Sequence, residues 1–270
     1  MTDVRADSKD RKHRPVADHS NGHGGLVGRA WTREEALEAL EAPDRRESQD
    51  PDALWTRLGL VSGATVVDVG AGTGFFAVAA ARRVGPEGHV YAVDLSAELV
   101  ELLRERRERE ALPQLHPLQN TLASIPLPSA SADVVLLANV LHDIPESTLS
   151  EAVRLLKPRG RFVNVDWKEE ETPGGPPPGV RLTPDQARHL LEEQGLREVE
   201  RWEFGPWHYG LVLRRCDRRV RARDEEGHDR GRGGPPGGKE KSPVRVTLRH
   251  GGASTASGSS EPLPEERTHR

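Results

Sequence analysis

Three closely spaced glycines and one acid form the group of residues best suited to binding chemistry. Gly70, Gly72 and Gly74 are separated by single residues, and Asp68 stands two positions before the first of them. Glycine lets the backbone turn sharply and approach a ligand closely, because no Cβ is in the way. A carboxylate beside such a turn suits a cationic amino group better than a pyrophosphate. We therefore predict a ligand-binding turn, the alternative being a glycine-rich turn that binds nothing.

A second acid stands at a distance typical of nucleoside-binding sites. Asp94 follows an apolar segment and lies 22 positions after Gly72. An acid about 20 residues beyond a glycine turn, at the tip of the second strand, can accept two hydrogen bonds from a ribose diol. The alternative is an exposed Asp that caps the next helix, although Ser96 already suits that capping position. We predict that Asp94 binds a sugar.

A buried strand and a helix are needed to position these residues. Residues 66–69 are an apolar run without alternation, as expected for a parallel strand covered on both faces. A helix then begins near Gly74 and continues to about Val84, so its free N–H groups point back at the turn. The sequence thus predicts a nucleotide-binding strand, turn and helix.

The Asp-x-Gly-x-Gly-x-Gly pattern of residues 68–74 resembles the first motif of class I S-adenosylmethionine (SAM) methyltransferases. A dinucleotide-binding G-x-G-x-x-G pattern would instead need its third glycine where this chain has Phe75. Residues 156–160 (Leu-Lys-Pro-Arg-Gly) are a further resemblance to the family. Residues 139–142 (Asn-Val-Leu-His) resemble the segment after the fourth strand in small-molecule methyltransferases of the ubiquinone/menaquinone type. The resemblance covers roughly residues 47–214.

This resemblance implies a Rossmann-like, doubly wound α/β fold with helices on both faces of a seven-stranded sheet. The implied strand order is 3-2-1-4-5-7-6, with the last strand antiparallel. Residues 157–160 are expected to form a helix stop and a turn, and residues 169–179 a loop able to act as a lid. Apolar runs and turn signals place strands at 66–69, 89–93, 114–118, 132–137, 161–166, 196–204 and 208–214.

The same resemblance implies a SAM site at the carboxyl ends of the strands. Asn120 stands where many of these enzymes have an acid that meets the adenine amine, and its side-chain carbonyl can accept the same hydrogen bond. Asn139 would line the methionine end and His142 the substrate side, although His142 could equally serve helix packing. The residues expected to bind the cofactor are Asp68, Gly70, Ala71, Gly72, Thr73, Gly74, Asp94, Leu95, Asn120, Thr121 and Asn139.

The sequence identifies the catalytic residues less clearly than the residues that bind the cofactor. Methyl transfer from a sulfonium needs the reactants held in line with water excluded, and it needs a general base only if the acceptor must lose a proton. His189, His208 and Tyr209 could act chemically, but the strand logic does not place them near the ligand edge. The candidates that it does place there are His142, Asp143, Asp166 and Lys168, and none of them is assigned a role.

The leading hypothesis is a SAM-dependent methyltransferase acting on a small-molecule acceptor. A non-catalytic SAM-binding module is the second hypothesis, because it would keep the same cofactor residues. An NAD-dependent oxidoreductase is disfavoured by the glycine spacing and Asp68. Arsenite methylation is disfavoured because it needs several thiols, and the chain has one cysteine, Cys216.

Composition limits the other possibilities. Of 270 residues, 34% are hydrophobic and 30% charged, which suggests an ordinary core with polar ends. A formal net charge of -4 argues against nucleic acid as a partner. The single cysteine, and the lack of a signal sequence or of a run of about 20 apolar residues, predict a soluble cytoplasmic protein without a membrane span. The oligomeric state is left open.

Three regions are expected along the chain. Residues 1–30 and 216–270 are polar and low in large apolar side chains, so we expect disordered tails. Residues 31–215 would form the methyltransferase domain with leading cap helices. The histidines of the first tail are loosely spaced and no metal site is expected there, and the Arg-Gly content of the second tail only hints at RNA contact.

Overall fold

The computed structural model describes residues 31–42 and 45–216. The predictions for the tails at 1–30 and 217–270, including those for metal and RNA, lie outside these residues. None of the helices in the two described ranges is long and apolar enough to cross a bilayer.

The described residues form a seven-stranded sheet in the order β3-β2-β1-β4-β5-β7-β6, as predicted. The first five strands are parallel, and β7 runs antiparallel to both of its neighbours. The strands are β1 Thr65–Val69, β2 His89–Asp94, β3 Leu115–Gln119, β4 Ala132–Ala138, β5 Leu156–Trp167, β6 Leu196–Phe204 and β7 His208–Arg215.

The helices begin where the sequence offers side chains to cap them. Thr32 and Thr183 each form a reciprocal capping box, and Asp50 and Ser96 accept hydrogen bonds from the first turns of their helices. One short helix, Arg45–Ser48, was not predicted. The helices are α1 Arg33–Leu40, α2 Arg45–Ser48, α3 Pro51–Arg57, α4 Phe75–Val84, α5 Ala97–Arg109, α6 Glu146–Leu155 and α7 Pro184–Glu193, with a 3-10 turn at Pro178–Val180.

Each face of the sheet has its own apolar core. Val66 of β1 packs in the cluster that contains α3 and α4, whereas its neighbour Val67 packs in the cluster that contains α6 and α7. Successive strand side chains point to opposite faces, so a strand covered on both sides must be apolar throughout. This burial explains the continuous apolar runs. Because β1 to β5 are parallel, their carboxyl ends lie at one edge of the sheet, where the predicted site residues lie.

The turn predicted at residues 157–160 is wrong in part. The helix α6 ends at Leu155, but β5 already begins at Leu156, which pairs with Ala132. The register then shifts, and regular pairing resumes between Arg161 and Val134. Lys157 fastens the irregular stretch to β4 through Asp133, whose two carboxylate oxygens lie 2.8 and 2.9 Å from its Nζ. The Lys-Pro-Arg-Gly segment is therefore an irregular part of a strand.

The loop at 169–179 is held by one buried arginine. Arg181 is 6% exposed and its guanidinium lies 5.1 Å from the ring centre of Trp167. Its nitrogens donate to carbonyl oxygens of the loop and to a threonine hydroxyl, namely those of Lys168, Glu170, Pro176, Gly174 and Thr172. So many directed bonds to one side chain give the loop a defined shape, and its action as a lid stays a prediction.

Candidate cofactor site

A cavity lies at the carboxyl ends of β1, β2 and β4, beneath the segment that contains α1 and α2. Eight of the eleven residues predicted to bind the cofactor line it: Asp68, Gly70, Ala71, Gly72, Asp94, Leu95, Asn120 and Asn139. Thr73, Gly74 and Thr121 do not line it. Apolar and aromatic side chains supply most of the remaining wall.

The turn between β1 and α4 requires its glycines for two different reasons. Gly70, Gly72 and Gly74 have φ of +74°, +57° and +86°, in the region that side chains rarely adopt. A Cβ on Gly70 would lie 2.7 Å from Val140, and one on Gly74 would lie 2.6 Å from Leu103 of α5. Gly74 therefore permits close packing of the turn against α5, whereas Gly70 and Gly72 form the wall of the cavity.

Asp94 braces this turn from inside the protein. One carboxylate oxygen accepts the N–H of Gly72 at 2.8 Å and the other accepts the N–H of Ser96 at 2.9 Å. The side chain is buried, and burial raises the pKa of Asp94 against the effect of these hydrogen bonds. Ser96 is the residue whose hydroxyl caps α5. Each Asp94 oxygen can accept a second hydrogen bond, which is the capacity that a ribose diol would use.

Asp68 is a buried carboxylate at the end of β1. It is 2% exposed, and burial, reinforced by the charge of Asp94, raises the pKa of Asp68 to about 7. The nearby cation of Arg45 opposes that rise. A carboxylate so deprived of water is stabilised by a cationic group brought next to it. That Asp68 meets an ammonium group stays a prediction.

Asn139 offers an unused acceptor in the same wall. Its backbone is left-handed, with φ of +60°, and its N–H donates to the carbonyl of Val165 at 2.8 Å. The side-chain Nδ2 donates to Oε1 of the buried Gln49 at 2.7 Å. Its Oδ1 is buried without a hydrogen-bond partner among the described residues. Because buried polar atoms are almost always paired, this oxygen is suited to a donor on a ligand.

Asn120 lies beyond Asp94 in the wall. Its Nδ2 donates to the carbonyl of Thr121 at 2.8 Å, which leaves Oδ1 as the end able to accept from an adenine amine. Thr121 itself pairs with Ser124 in an isolated bridge. Thr73 turns its carbonyl towards Arg106, which donates to it at 3.0 Å.

Three of the catalytic candidates contact one another in a row. His142 lies in the turn after β4, with Nδ1 3.2 Å from Oδ1 of Asp166 and Nε2 3.4 Å from Oδ2 of Asp143. The side chains of His142 and Asp166 are 3% and 0% exposed, whereas Asp143 is 38% exposed and lines the cavity. Only Asp143 of the three thus connects them to the cavity, and the role of His142, at the substrate side or in helix packing, stays a prediction.

The pKa values of His142 and Asp143 depend on burial and on the charges of their neighbours. Burial opposes protonation of His142, but the hydrogen bond to Asp166 and the two carboxylate charges raise the pKa of His142 overall. Burial raises the pKa of Asp143, the imidazolium of His142 opposes this, and Asp166 adds to it. Asp143 is therefore a stronger base than a surface aspartate.

The other candidates lie away from the cavity wall. Lys168 forms an ion pair with Glu203 and donates to the carbonyl of Pro206 at 3.0 Å. His189 is exposed and pairs with Glu193, and Tyr209 donates to the carbonyl of Leu182 at 3.0 Å. His208 is fully buried, and neither ring nitrogen has a hydrogen-bond partner among the described residues.

Two polar residues of the site were missed in the sequence. Arg45 lines the cavity and Gln49 orients Asn139, and both come from the segment that contains α2. The sequence around them, Arg-Arg-Glu-Ser, has no apolar periodicity and no motif. The described residues contain no cluster of three or more His, Cys, Asp or Glu able to hold a metal ion.

Comparisons with known proteins agree with this geometry. Residues 67–164 match the family described as "Methyltransferase domain". The crystal structure of a SAM-dependent methyltransferase from Aquifex aeolicus is 31% identical, with a TM-score of 0.65 over 68% of this chain and 98% of that one. The chain thus belongs to the class I SAM-dependent methyltransferase family, and the predictions of family, fold and cofactor are confirmed.

Two curated relatives match a shorter part of the chain. A demethylmenaquinone methyltransferase from Listeria welshimeri is 31% identical over 114 residues, 42% of this chain and 48% of the relative. A ubiquinone/menaquinone biosynthesis C-methyltransferase from Methylobacterium nodulans is 32% identical over 111 residues, 40% of this chain and 44% of the relative. The chain therefore spans about half the length of the curated relatives that it matches.

The cavity walls fit SAM. The unpaired Oδ1 of Asn139 and the buried carboxylate of Asp68 suit the ammonium of its amino-acid part. Asp94 and Asn120 have acceptor oxygens of the kind that a sugar and a base would need. The buried carboxylate of Asp68 suits an ammonium group and not a pyrophosphate, which disfavours NAD as the ligand.

Proposed function

We propose that this protein transfers a methyl group from SAM to an apolar small molecule that loses a proton as it is methylated. The observation that supports this most directly is the chain of Asp143, His142 and Asp166, which brings a basic carboxylate to the same cavity as the cofactor residues. A module that only binds SAM would have no use for such a base. We place the reaction in the cytoplasm, since a single cysteine suits a reducing compartment.

The residues proposed to hold the cofactor act at its two ends. Asp68 and Asn139 would bind the ammonium group, Asp94 the ribose hydroxyls, and Asn120 the adenine amine. Gly70 and Gly72 line the cavity and would let the backbone approach the ligand closely. When bound, SAM supplies a methyl group activated by a positively charged sulfur, so the protein must chiefly orient the acceptor and exclude water.

The acceptor side of the cavity is apolar. Trp31, Leu122, Ile144 and Pro145 contribute to its wall, and Asp143 is the acid that lies among them. A flat ring system with a hydroxyl group would bury its apolar part there and direct the hydroxyl at Asp143. The named relatives act on demethylmenaquinone or in ubiquinone and menaquinone biosynthesis, so we propose a hydroquinone-like acceptor for this protein too.

Asp143 would act as the general base and the other two residues would position it. A proton leaves the acceptor for a carboxylate oxygen of Asp143, and the partial exposure of Asp143 lets that proton pass on to water. The two carboxylates raise the pKa of His142, the charge of a protonated His142 would lower the pKa of Asp143 against the effect of burial, and the fully buried Asp166 would fix the orientation of the imidazole. General bases of this kind contribute about 10²- to 10⁴-fold to rates.

Binding and turnover test the proposal separately. Calorimetric titration is expected to show binding of SAM and none of NAD, and the reverse result would refute the cofactor assignment. SAM tritiated in its methyl group and a short-chain demethylmenaquinol are then expected to give a labelled, methylated quinol. Binding of SAM without labelled product would refute the acceptor, and failure with cell extract as well would favour the binding module.

The pH dependence of kcat/KM tests the base. We expect Asp143→Asn to lower kcat about 100-fold or more while SAM affinity is kept, whereas the exposed Asp52→Asn changes neither. His142→Gln removes the cation that lowers the pKa of Asp143, so the acidic limb of the profile is expected to move to higher pH. A profile that is unchanged in His142→Gln would contradict the role of this pair.

A further inference from the structure

Arg45 is a cation in the cavity wall, and none of the predicted roles in the site involves it. It is the first residue of α2, it is partly buried, and it lines the cavity together with Asp68. Its guanidinium lies 4.2 Å from the ring centre of Phe75, and Nη1 donates to the carbonyl of Leu40 at 2.7 Å. The side chain is thus held in place at one end of the site.

No carboxylate among the described residues forms an ion pair with Arg45. Two acids, Glu41 and Asp68, lie near enough to influence it, but neither has an oxygen within 4.0 Å of its nitrogens. Glu41 is paired instead with Arg106 at 3.2 Å. Burial lowers the pKa of Arg45 to about 10, so the group remains charged at neutral pH.

A cation withdrawn from water and left without a partner carries a free-energy cost, and proteins rarely keep one without a compensating anion. The guanidinium has five N–H donors, of which Leu40 accepts one. Its planar fork matches a carboxylate, with two parallel hydrogen bonds. The missing partner is therefore an anionic group that enters the cavity.

We propose that Arg45 binds the α-carboxylate of the amino-acid part of SAM, while Asp68 binds its α-ammonium. This inference rests on the proposed cofactor function and extends it to the recognition of a zwitterion by two opposite charges. It assigns to α2, which no motif marked, the task of distinguishing SAM from nucleosides without a carboxylate. The contrary possibility is that Arg45 occupies the place of the ammonium beside Asp68 and is displaced on binding.

Two ligands that differ only in the carboxylate test the proposal. Isothermal titration of the full chain would compare SAM with decarboxylated SAM, which keeps the sulfonium and the ammonium. In Arg45→Gln we expect SAM affinity to fall about tenfold or more, in line with the loss of hydrogen bonds between charged groups, and affinity for decarboxylated SAM to change less than about threefold. Arg46→Gln is the matched control, because Arg46 is the next residue of α2 and is an exposed partner of Asp52.

The outcomes separate this inference from the proposed function. If the unaltered protein binds neither ligand, the cofactor proposal fails. If it binds SAM and Arg45→Gln weakens both ligands equally, or leaves or raises SAM affinity, the carboxylate role is overturned. Should Arg45→Gln not fold, Arg45→Lys keeps the charge without the fork, and it is expected to weaken SAM alone by a smaller factor.

Discussion

Gly72 stands where the glycine turn meets the covering helix α1. Its φ is +57°, and a Cβ there would lie 2.9 Å from Cδ1 of Leu40. We predict that Gly72→Val abolishes SAM binding in calorimetry, because the side chain strains the turn and fills the approach to the cavity. Gly63→Val is the control: its φ is +77° and its surroundings are open, so it should cost a similar ~1–2 kcal/mol of stability and leave SAM affinity unchanged. Unchanged SAM affinity in Gly72→Val would count against the turn as the binding element.

Asp68 should stabilise the complex and destabilise the free protein. The pKa of Asp68 in the folded protein, about 7, lies above the value of 3.8 in the unfolded chain. Between pH 3.8 and 7 the carboxyl is therefore mostly protonated in the folded state and mostly ionised in the unfolded state. Stability from this proton is complete below about pH 4 and is lost as the pH rises through 7. Asp68→Asn is thus predicted to raise the free energy of unfolding by about 1–3 kcal/mol at pH 8, to change it little at pH 4, and to weaken SAM binding.

Urea unfolding at the two pH values, with titration of SAM at pH 8, measures these effects. Asp52→Asn, at an exposed position, is the control and is expected to change neither quantity. Equal stability of Asp68→Asn and the unaltered protein at pH 8 would contradict the buried, costly state of this carboxylate.

The sequence locates some site residues and misses others for a physical reason. The places of Asp68 and Asp94 in the site can be predicted from the sequence, because each stands near the end of a strand and local chain geometry puts strand ends at the sheet edge. Arg45 reaches the same cavity, and Gln49 reaches Asn139 in its wall, only through the position of the segment that contains α2, and that position depends on packing between distant segments. Which of the cavity residues bind SAM stays a prediction until a variant is measured.

Among the elements, the loop at 169–179 depends on the single side chain of Arg181. We predict that Arg181→Gln lowers the free energy of unfolding by about 2–4 kcal/mol, because four carbonyls and a threonine hydroxyl lose their charged donor together. Protease cleavage within the loop should become faster, and urea unfolding measures the stability. Arg104→Gln removes an exposed pair with Glu101 and should stay within about 0.5 kcal/mol. If Arg181→Gln proved equally mild, the loop would not depend on this arginine.

Element boundaries were predictable where capping or apolar burial decides them. Ser96 caps a helix as predicted, and Thr32 and Thr183 do the same, since their hydroxyls satisfy the first backbone N–H groups. The segment 157–160 carries signals for a turn, yet it is continuous with β5. The pairing of Leu156 with Ala132 and the ion pair of Lys157 with Asp133 stabilise a strand instead of the turn. Ala132 and Asp133 are distant in the sequence, so the segment itself does not indicate these interactions.

For the whole molecule, acid stability should be limited by His208. Burial, with the charges of Arg45, Arg181 and Lys168, lowers the pKa of His208 to about 3, against 6.5 in the unfolded chain. Between pH 6.5 and 3, His208 is therefore mostly protonated in the unfolded state and mostly neutral in the folded state. The free energy of unfolding thus decreases as the pH falls through this range. His208→Leu is predicted to reduce the loss of stability between pH 7.5 and 5.5 by about 1 kcal/mol.

Urea unfolding at pH 7.5 and 5.5 checks this prediction. The exposed His189→Gln serves as control and should follow the unaltered protein at both values. If His208→Leu loses as much stability on acidification as the unaltered protein, the neutral state of His208 does not set the acid limit.

The overall architecture was predictable because it depends on many weak signals that agree. Seven strands in the described chain, most of them separated by helices and the last two joined by a hairpin at Gly205-Pro206, leave few ways to cover both faces of a sheet. The strand order itself came from the resemblance to a family. What surrounds the site on the acceptor side did not follow, because Trp31 and Leu122 come from irregular segments whose positions only tertiary packing defines.

The double use of Asp94 restricts what can replace it. Its two oxygens serve the amides of residues 72 and 96 simultaneously, so asparagine, with one oxygen, would leave one amide facing an NH₂ group. Glutamate would carry its carboxylate a methylene too far from at least one amide. The position should therefore tolerate almost no exchange even in the absence of any ligand, and a deep mutational scan that selects only for folded, soluble protein should already deplete substitutions there.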